Sequence, residues 1–439
     1  MMSDFLNIDP TTMATQMAQY DVMALKNALS TQQSTLKSQQ TALSALKKSM
    51  TDFRSALQGL NKVGEGVLKN SATVNQDGFL TATASSSASK GAYNIFVEQT
   101  AAASQTAFEN LTDDEVSNAS GSMDITVNGE TLTVDMDSVN SLSDLANAIN
   151  RSDDNPGVTA SLMRSEDGAV TMMLSSDETG EKNAFTLDTS KVSNMSDGAL
   201  DETTLTEAKD AIIRMGNENG PAMRSSTNKF SNVIDGVTLE VSAAQKKGDT
   251  PLQLRVGTDQ SATQDQLQQF VDAYNALRGQ LDDLTKSGSD GSGRGAFAGD
   301  SGINALTQQL NSMLRTDVDG NRIADFGITA DKDGKLTLDS EKLNDALDQN
   351  PEGLSTLFNG NGGLLKQMDK SLDGYLSSAN GMLKIRQDTL DRKDTQLSDK
   401  ADQIQARYDS SYQRYLKQFT QLQSVMTQMN NTMSMFGIS

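Results

Sequence analysis

The side chains with the spacing to do chemistry are few, and each candidate lacks a part. DVDGN, residues 317–321, sets Asp317, Asp319 and Asn321 where the first, third and fifth ligands of a calcium loop belong. Arg322 then occupies the sixth position, which needs Gly, and Ile328 the twelfth, which needs Glu, so the loop fails. DKDGKLTLD puts Gly334 at its fourth position, which suits a turn. GSGRG, residues 291–295, is glycine-rich, but no GK[ST] follows and it does not join a strand to a helix as a phosphate cradle does. Carboxylates number 58, yet no pair is set apart for acid–base work. The 439-residue chain has no Cys, which excludes disulfides, thiol catalysis and thiolate metal sites, and no His, the usual general base and zinc ligand. No catalytic, cofactor or metal site is expected, and the chain reads as a non-enzyme.

Charge narrows the partners. Residues 1–70 carry seven Lys/Arg against five Asp/Glu and residues 383–439 eight against six, whereas residues 71–382 carry 22 against 47. An acidic middle of that size repels phosphates and anionic lipid, so no nucleic acid partner is expected. No run of 18 apolar residues exists, and no membrane insertion is expected. The start, MMSDFLNIDPTTM, has no basic segment leading into an apolar one, so export by the general secretory signal is not expected.

The elements that must position any functional surface are helices at the two ends. From Val22 to Leu60 a single heptad register fits, with Val22, Leu29, Leu36, Leu43, Met50 and Leu57 at one position and Leu25, Gln32, Gln39, Leu46, Phe53 and Leu60 at the other. Gly and Pro are absent until Gly59, so a helix of ~60 Å is predicted. At the far end Leu383, Leu390, Leu397 and Ile404 repeat every seven residues. The register then slips by one: Tyr408, Tyr412, Tyr415, Phe419, Leu422, Met426, Met429, Met433 and Phe436 alternate spacings of four and three. Such a slip predicts a bend or a change of partner between Ile404 and Tyr412. The methionines suit a face that accepts more than one neighbour.

Between the helices the chain is modular. A strand is predicted at Tyr93–Val97, a hairpin turning at Asn128 and Gly129, a short helix capped by Ser141 with Asp144 three residues on, and a second hairpin over 157–177. More strands follow to about residue 256. A third heptad-like helix then carries Leu267, Phe270, Tyr274, Leu277, Leu281 and Leu284, and a hairpin turning at Asp333 and Gly334 precedes short helices around Pro351. The fold class is α+β multidomain: N- and C-terminal helices pairing as a coiled coil, a helical core domain with a hairpin, and inserted β-rich domains.

Several segments together resemble the flagellar hook-associated protein 2 family. SSTNKFSNVIDGVTLEVSAA (225–244), MDITVNGETLTVDMDSVNSLSDLANAIN (123–150) with GVTASL (157–162), FVDAYNAL (270–277), FGITADKDGKLTLDSEKLNDALDQNPEGLSTLF (326–358) and RYDSSYQRYLKQFTQLQSVMTQMN (407–430) are similar to that family's segments in its order. The opening FLNIDPTTMATQMAQYDV departs from the Gly-Ser-Gly-rich start common there. The resemblance implies four parts. Residues 1–45 with 400–439 would form a coiled-coil leg, 46–72 with 261–399 a helical core domain, 73–107 with 223–260 a β-rich plate, and 108–222 an inserted α/β outer domain.

It also implies a cap at the tip of the flagellar filament, a ring of identical chains that guides exported flagellin into place and prevents its loss. The family favours a pentamer, with four to six subunits allowed. The implied partners are the ring neighbours, flagellin, and a cytosolic export chaperone covering the C-terminal helix. The implied location is extracellular, reached through the flagellar channel. On this reading the assembly interface is Val22, Leu25, Leu29, Leu36, Leu43 and Met50 with Tyr408, Tyr412, Tyr415, Phe419, Leu422, Met426, Met429 and Met433. A secreted adhesin binding host glycans through its β domains is the alternative, and a flagellin or junction protein, or a cytosolic coiled-coil scaffold, are lesser ones.

Overall fold

The computed structural model describes residues 9–62, 64–165, 168–288 and 293–435. Asp9 opens helix α1 (Pro10–Leu60): its carboxylate accepts from the Thr11 and Thr12 N–H groups at 3.2 and 3.0 Å, and Pro10 has no N–H to satisfy. Hydrogen bonds from the two threonine hydroxyls hold the Asp9 carboxyl down at about 2. The helix therefore begins well before Val22 and runs about 75 Å.

Strands follow: β1 (Asn70–Val74), β2 (Leu80–Ala84), β3 (Gly91–Gln99) and β4 (Gln105–Phe108), then a short helix α2 (Asp113–Asn118). β5 (Ser120–Val127) and β6 (Glu130–Asp135) join through Asn128 and Gly129 at φ 49° and 87°, the mirror-image turn that matches strand twist. In α3 (Leu142–Asn150) the Ser141 hydroxyl accepts from the Asp144 N–H at 3.1 Å, and the Asp144 carboxylate accepts back from Asn140 N–H.

The chain continues through β7 (Val158–Arg164), β8 (Val170–Ser176), β9 (Phe185–Asp188), β10 (Val192–Ser193) and β11 (Thr203–Thr206). Next come β12 (Ala211–Met215), β13 (Ala222–Ser225), β14 (Lys229–Ile234), β15 (Val237–Val241) and β16 (Leu252–Thr258). Helices close the sequence: α4 (Gln260–Thr285), α5 (Ser301–Met313), the hairpin of β17 (Ile328–Ala330) and β18 (Leu336–Leu338), α6 (Ser340–Gln349), α7 (Pro351–Asn359), α8 (Leu364–Leu376) and α9 (Met382–Met435).

The chain divides into two units, residues 68–263 and residues 1–67 with 264–439. Within the first, an antiparallel sheet ordered β1-β16-β3-β12-β13 and a second ordered β14-β15-β2 share a core of Ile95, Val97, Ile213, Leu239 and Leu254. A separate core joins α3 to the sheets β10-β5-β6, with β9 beside β5, and β11-β4-β8-β7 around Ile125, Leu132, Leu145, Ile149 and Leu174. β12 pairs with β3, where Ile212 and Ile213 register with Gln99 and Val97, and β13 pairs in turn with β12. An inserted domain reaching residue 222 is thereby corrected: β12 contributes Ala211 and Ile213 to the core of Ile95 and Leu254.

In the other unit, α1 packs on α8 and α9. Leu267, Phe270, Tyr274, Leu277, Leu281 and Leu284 of α4 are all buried. Phe53, Tyr274, Phe270 and Phe358 form a chain of rings, with centroids 6.2, 6.5 and 5.3 Å apart. Asn275 seals one edge of the small hairpin, its side chain donating to Leu336 O and accepting from Leu336 N–H at 2.8 and 2.7 Å. Arg54 of α1 pairs with Asp369 and Asp373 of α8, each at 2.8 Å.

Candidate assembly interface

The loops that resembled ion sites are turns. Asp317 accepts from Gly320 N–H at 2.7 Å, and Asp331 accepts from Asp333 and Lys335 N–H groups, so these carboxylates are spent on backbone donors. Among the described residues no group of three or more acidic side chains converges as a cation site, and no helix is long and apolar enough to cross a membrane. GSGRG lies partly outside the described residues. What remains is the paired helices.

Val22, Leu29, Leu36, Leu43 and Met50 are buried, and Leu25 is half-buried. Packing within the chain encloses the row, apart from Leu25. On α9 the enclosed row is Leu383, Leu390, Leu397, Ile404 and Ser411, one residue per heptad. The seven-residue line thus continues past Ile404 with α1 still its partner, and α9 remains one unbroken helix. The one-residue slip adds a second stripe beside the first and brings no change of partner. Gln32 of the seam row is met across it by Lys400, whose Nζ donates to Gln32 Oε1 at 3.1 Å.

The stripe itself divides in two. Tyr408, Tyr412, Tyr415 and Phe419 are half-buried beside α1, their rings paired at 6.4 Å for Tyr408 with Tyr412 and for Tyr415 with Phe419. Lys26 Nζ lies 5.2 Å from the centre of the Tyr408 ring. Farther along, Met426 and Met433 are half-buried while Leu422 and Met429 are 53% and 49% exposed. The cause is geometric. With Gln32 against Lys400 and Asp21 against Ser411, antiparallel pairing brings Pro10 level with about residue 422, so roughly the last dozen described residues of α9 run past it. Phe436 lies outside the described residues.

Sequence reasoning missed Val425, 60% exposed, and Met435, and it missed a patch on α1. Met17, Tyr20 and Met23 are exposed, Tyr20 to 73%. Met13, Met17, Tyr20 and Ala24 are spaced by four, three and four, a second period offset from the enclosed row; that signal was available. The tip of the helical hairpin therefore presents apolar surface on both helices, the kind of surface that marks a protein contact.

Comparison with known proteins follows this architecture. Residues 7–104 match the family described as flagellar hook-associated protein 2 N-terminus, residues 208–431 its C-terminus, and residues 122–178 the flagellin hook IN motif. The chain is similar to a lateral flagellar hook-associated protein 2 of Vibrio parahaemolyticus, 39% identical over 406 residues that cover 90% of this chain and 91% of that one. It is also similar to a B-type flagellar hook-associated protein 2 of Pseudomonas aeruginosa, 31% identical, covering 89% and 88%. Among solved structures, the D1-D2-D3 domains of the flagellar cap protein FliD from Escherichia coli superpose with a TM-score of 0.67 at 28% identity, covering 80% of this chain and 99% of that one.

Proposed function

The chain belongs to the flagellar hook-associated protein 2 family, and we propose from that membership that the tip of its α1–α9 helical hairpin is the part that meets flagellin. The protein is a structural cap at the distal end of the bacterial flagellar filament. It guides polymerisation of exported flagellin and prevents its loss, and filament elongation and motility depend on it. The observation that carries this is identity of 39% along nine-tenths of both chains with a protein of that name. Each relative named above is a flagellar protein, which favours the cap over a glycan-binding adhesin.

Finer features belong to the same proposal. The working form is a closed ring of four to six copies, with five favoured. It acts outside the cell, reached through the flagellar channel as an unfolded chain; a chain without Cys forms no cross-links on the way. Before export, a cytosolic chaperone covers the exposed residues of α9 from Leu422 onward. The cap works without enzymatic chemistry: the contacts it offers are apolar faces and polar seams.

The deciding experiment measures flagellin in the medium of a strain lacking this gene, with purified protein added back. Monomeric flagellin lost to the medium, and filaments restored by the added protein, is the expected result. Normal filaments without leakage would overturn the cap reading.

A further inference from the structure

We infer that Asp21 is a positioning residue of the helical hairpin, the side chain that keeps the first turns of α1 seated on α9. The apolar row of α9 is interrupted at Ser411, which is only 4% exposed. A hydroxyl enclosed there must find a partner. Ser411 Oγ donates to Asp21 Oδ2 at 3.0 Å, Arg414 donates to the same oxygen at 3.0 Å, and the Tyr415 hydroxyl donates to Asp21 Oδ1 at 3.3 Å. The Arg414 guanidinium also lies over the Tyr415 ring, 4.8 Å from its centre. Three donors from one stretch of α9 thus converge on one carboxylate of α1.

Few enclosed side chains of α1 hold this end. Between Pro10 and Asp21 the buried side chains of α1 are Ala14 and Ala18 alone, whereas the row from Leu36 onward buries leucines, Met50 and Phe53. Apolar stabilisation scales with the area removed from water, so two methyl groups contribute little. Opening of these turns is therefore opposed by the Asp21 contacts together with the half-buried rings of α9 beside them. The turns that they hold carry Met17 and Tyr20, so the contacts also decide whether the apolar patch of α1 stays beside that of α9. A polar mate in a helical seam selects one partner and one alignment at a cost in stability. Here it selects the same chain's α1.

The functional half of this inference rests on the cap reading; the structural half does not. In the full-length protein, amide hydrogen exchange over residues 10–24 is expected to quicken about tenfold in Asp21→Ala while residues 29–60 stay unchanged. Asp21→Asn, which keeps one acceptor oxygen and replaces the other with an NH2 that a rotated hydroxyl can accept from, is expected to fall between the parent and Asp21→Ala. The double substitution Asp21→Leu with Ser411→Leu is expected to restore protection by filling the seam with apolar side chains. Retention of flagellin by added protein is expected to fall in Asp21→Ala and to recover in the double variant. Unchanged exchange in Asp21→Ala overturns the inference, as does faster exchange with undiminished retention. If the parent protein itself retains no flagellin, the cap reading fails while the exchange comparison still decides the role of Asp21.

Discussion

Asp300 shows how much one carboxylate can organise. It caps α5 by accepting from the Gly302 and Ile303 N–H groups, both at 3.0 Å, and both its oxygens meet the Arg386 guanidinium at the start of α9, one at 2.5 Å. Arg386 in turn lies 5.7 Å from the centre of the Phe297 ring. Burial by itself raises the Asp300 carboxyl, but Arg386 and the two N–H groups outweigh it and hold the carboxyl below its ordinary range. A carboxyl lowered in the folded state contributes stability above its unfolded value, near 4, and that contribution is lost as pH falls through the folded value. Asp300→Asn should therefore cost about 1–2 kcal/mol at pH 7, and the gap from the parent should close on acidification below about pH 4, read from urea midpoints at each pH. Equal midpoints at pH 7 would remove Asp300 from this role. Nothing in the local sequence marked Asp300, since its main partner is 86 residues away.

At the scale of elements, leucines of identical spacing have opposite fates. Leu36 is enclosed and Leu422 is open, although both sit in heptad stripes. Leu36→Ala should lower stability by about 2–4 kcal/mol through lost burial and the cavity left behind. Leu422→Ala should leave the melting temperature within about 2 °C of the parent, and its effect should appear as flagellin lost to the medium. A large stability loss in Leu422→Ala, or none in Leu36→Ala, would reverse the assignment of the two faces. The elements themselves were largely legible. Heptad spacing gave α1, α4 and α9, the Asn128 and Gly129 pair gave its hairpin, and Ser141 with Asp144 gave the start of α3, because each signal is complete within a few residues. The extension of α1 back to Pro10 was legible too, in the Asp9 cap, but lay upstream of the heptad row.

For the whole molecule, the two units make a separable prediction. Residues 68–263 hold their own two cores, and the ends of that segment meet where Asn70 registers with Thr258 on β1 and β16. The fragment should fold alone, giving a cooperative thermal transition and a dispersed amide spectrum; a disordered spectrum would refute this. The sequence alone established the class of helices and strands, the lack of thiol and imidazole chemistry, the acidic middle and the family resemblance, all of which are set by composition or by short-range spacing. Tertiary structure decided which stripes are enclosed, that β12 joins β3, and that Asp21 meets Ser411 from the opposite end of the chain. The reason is physical: a seven-residue period defines a face of a helix, but only long-range packing chooses the neighbour of that face and how far the two overlap.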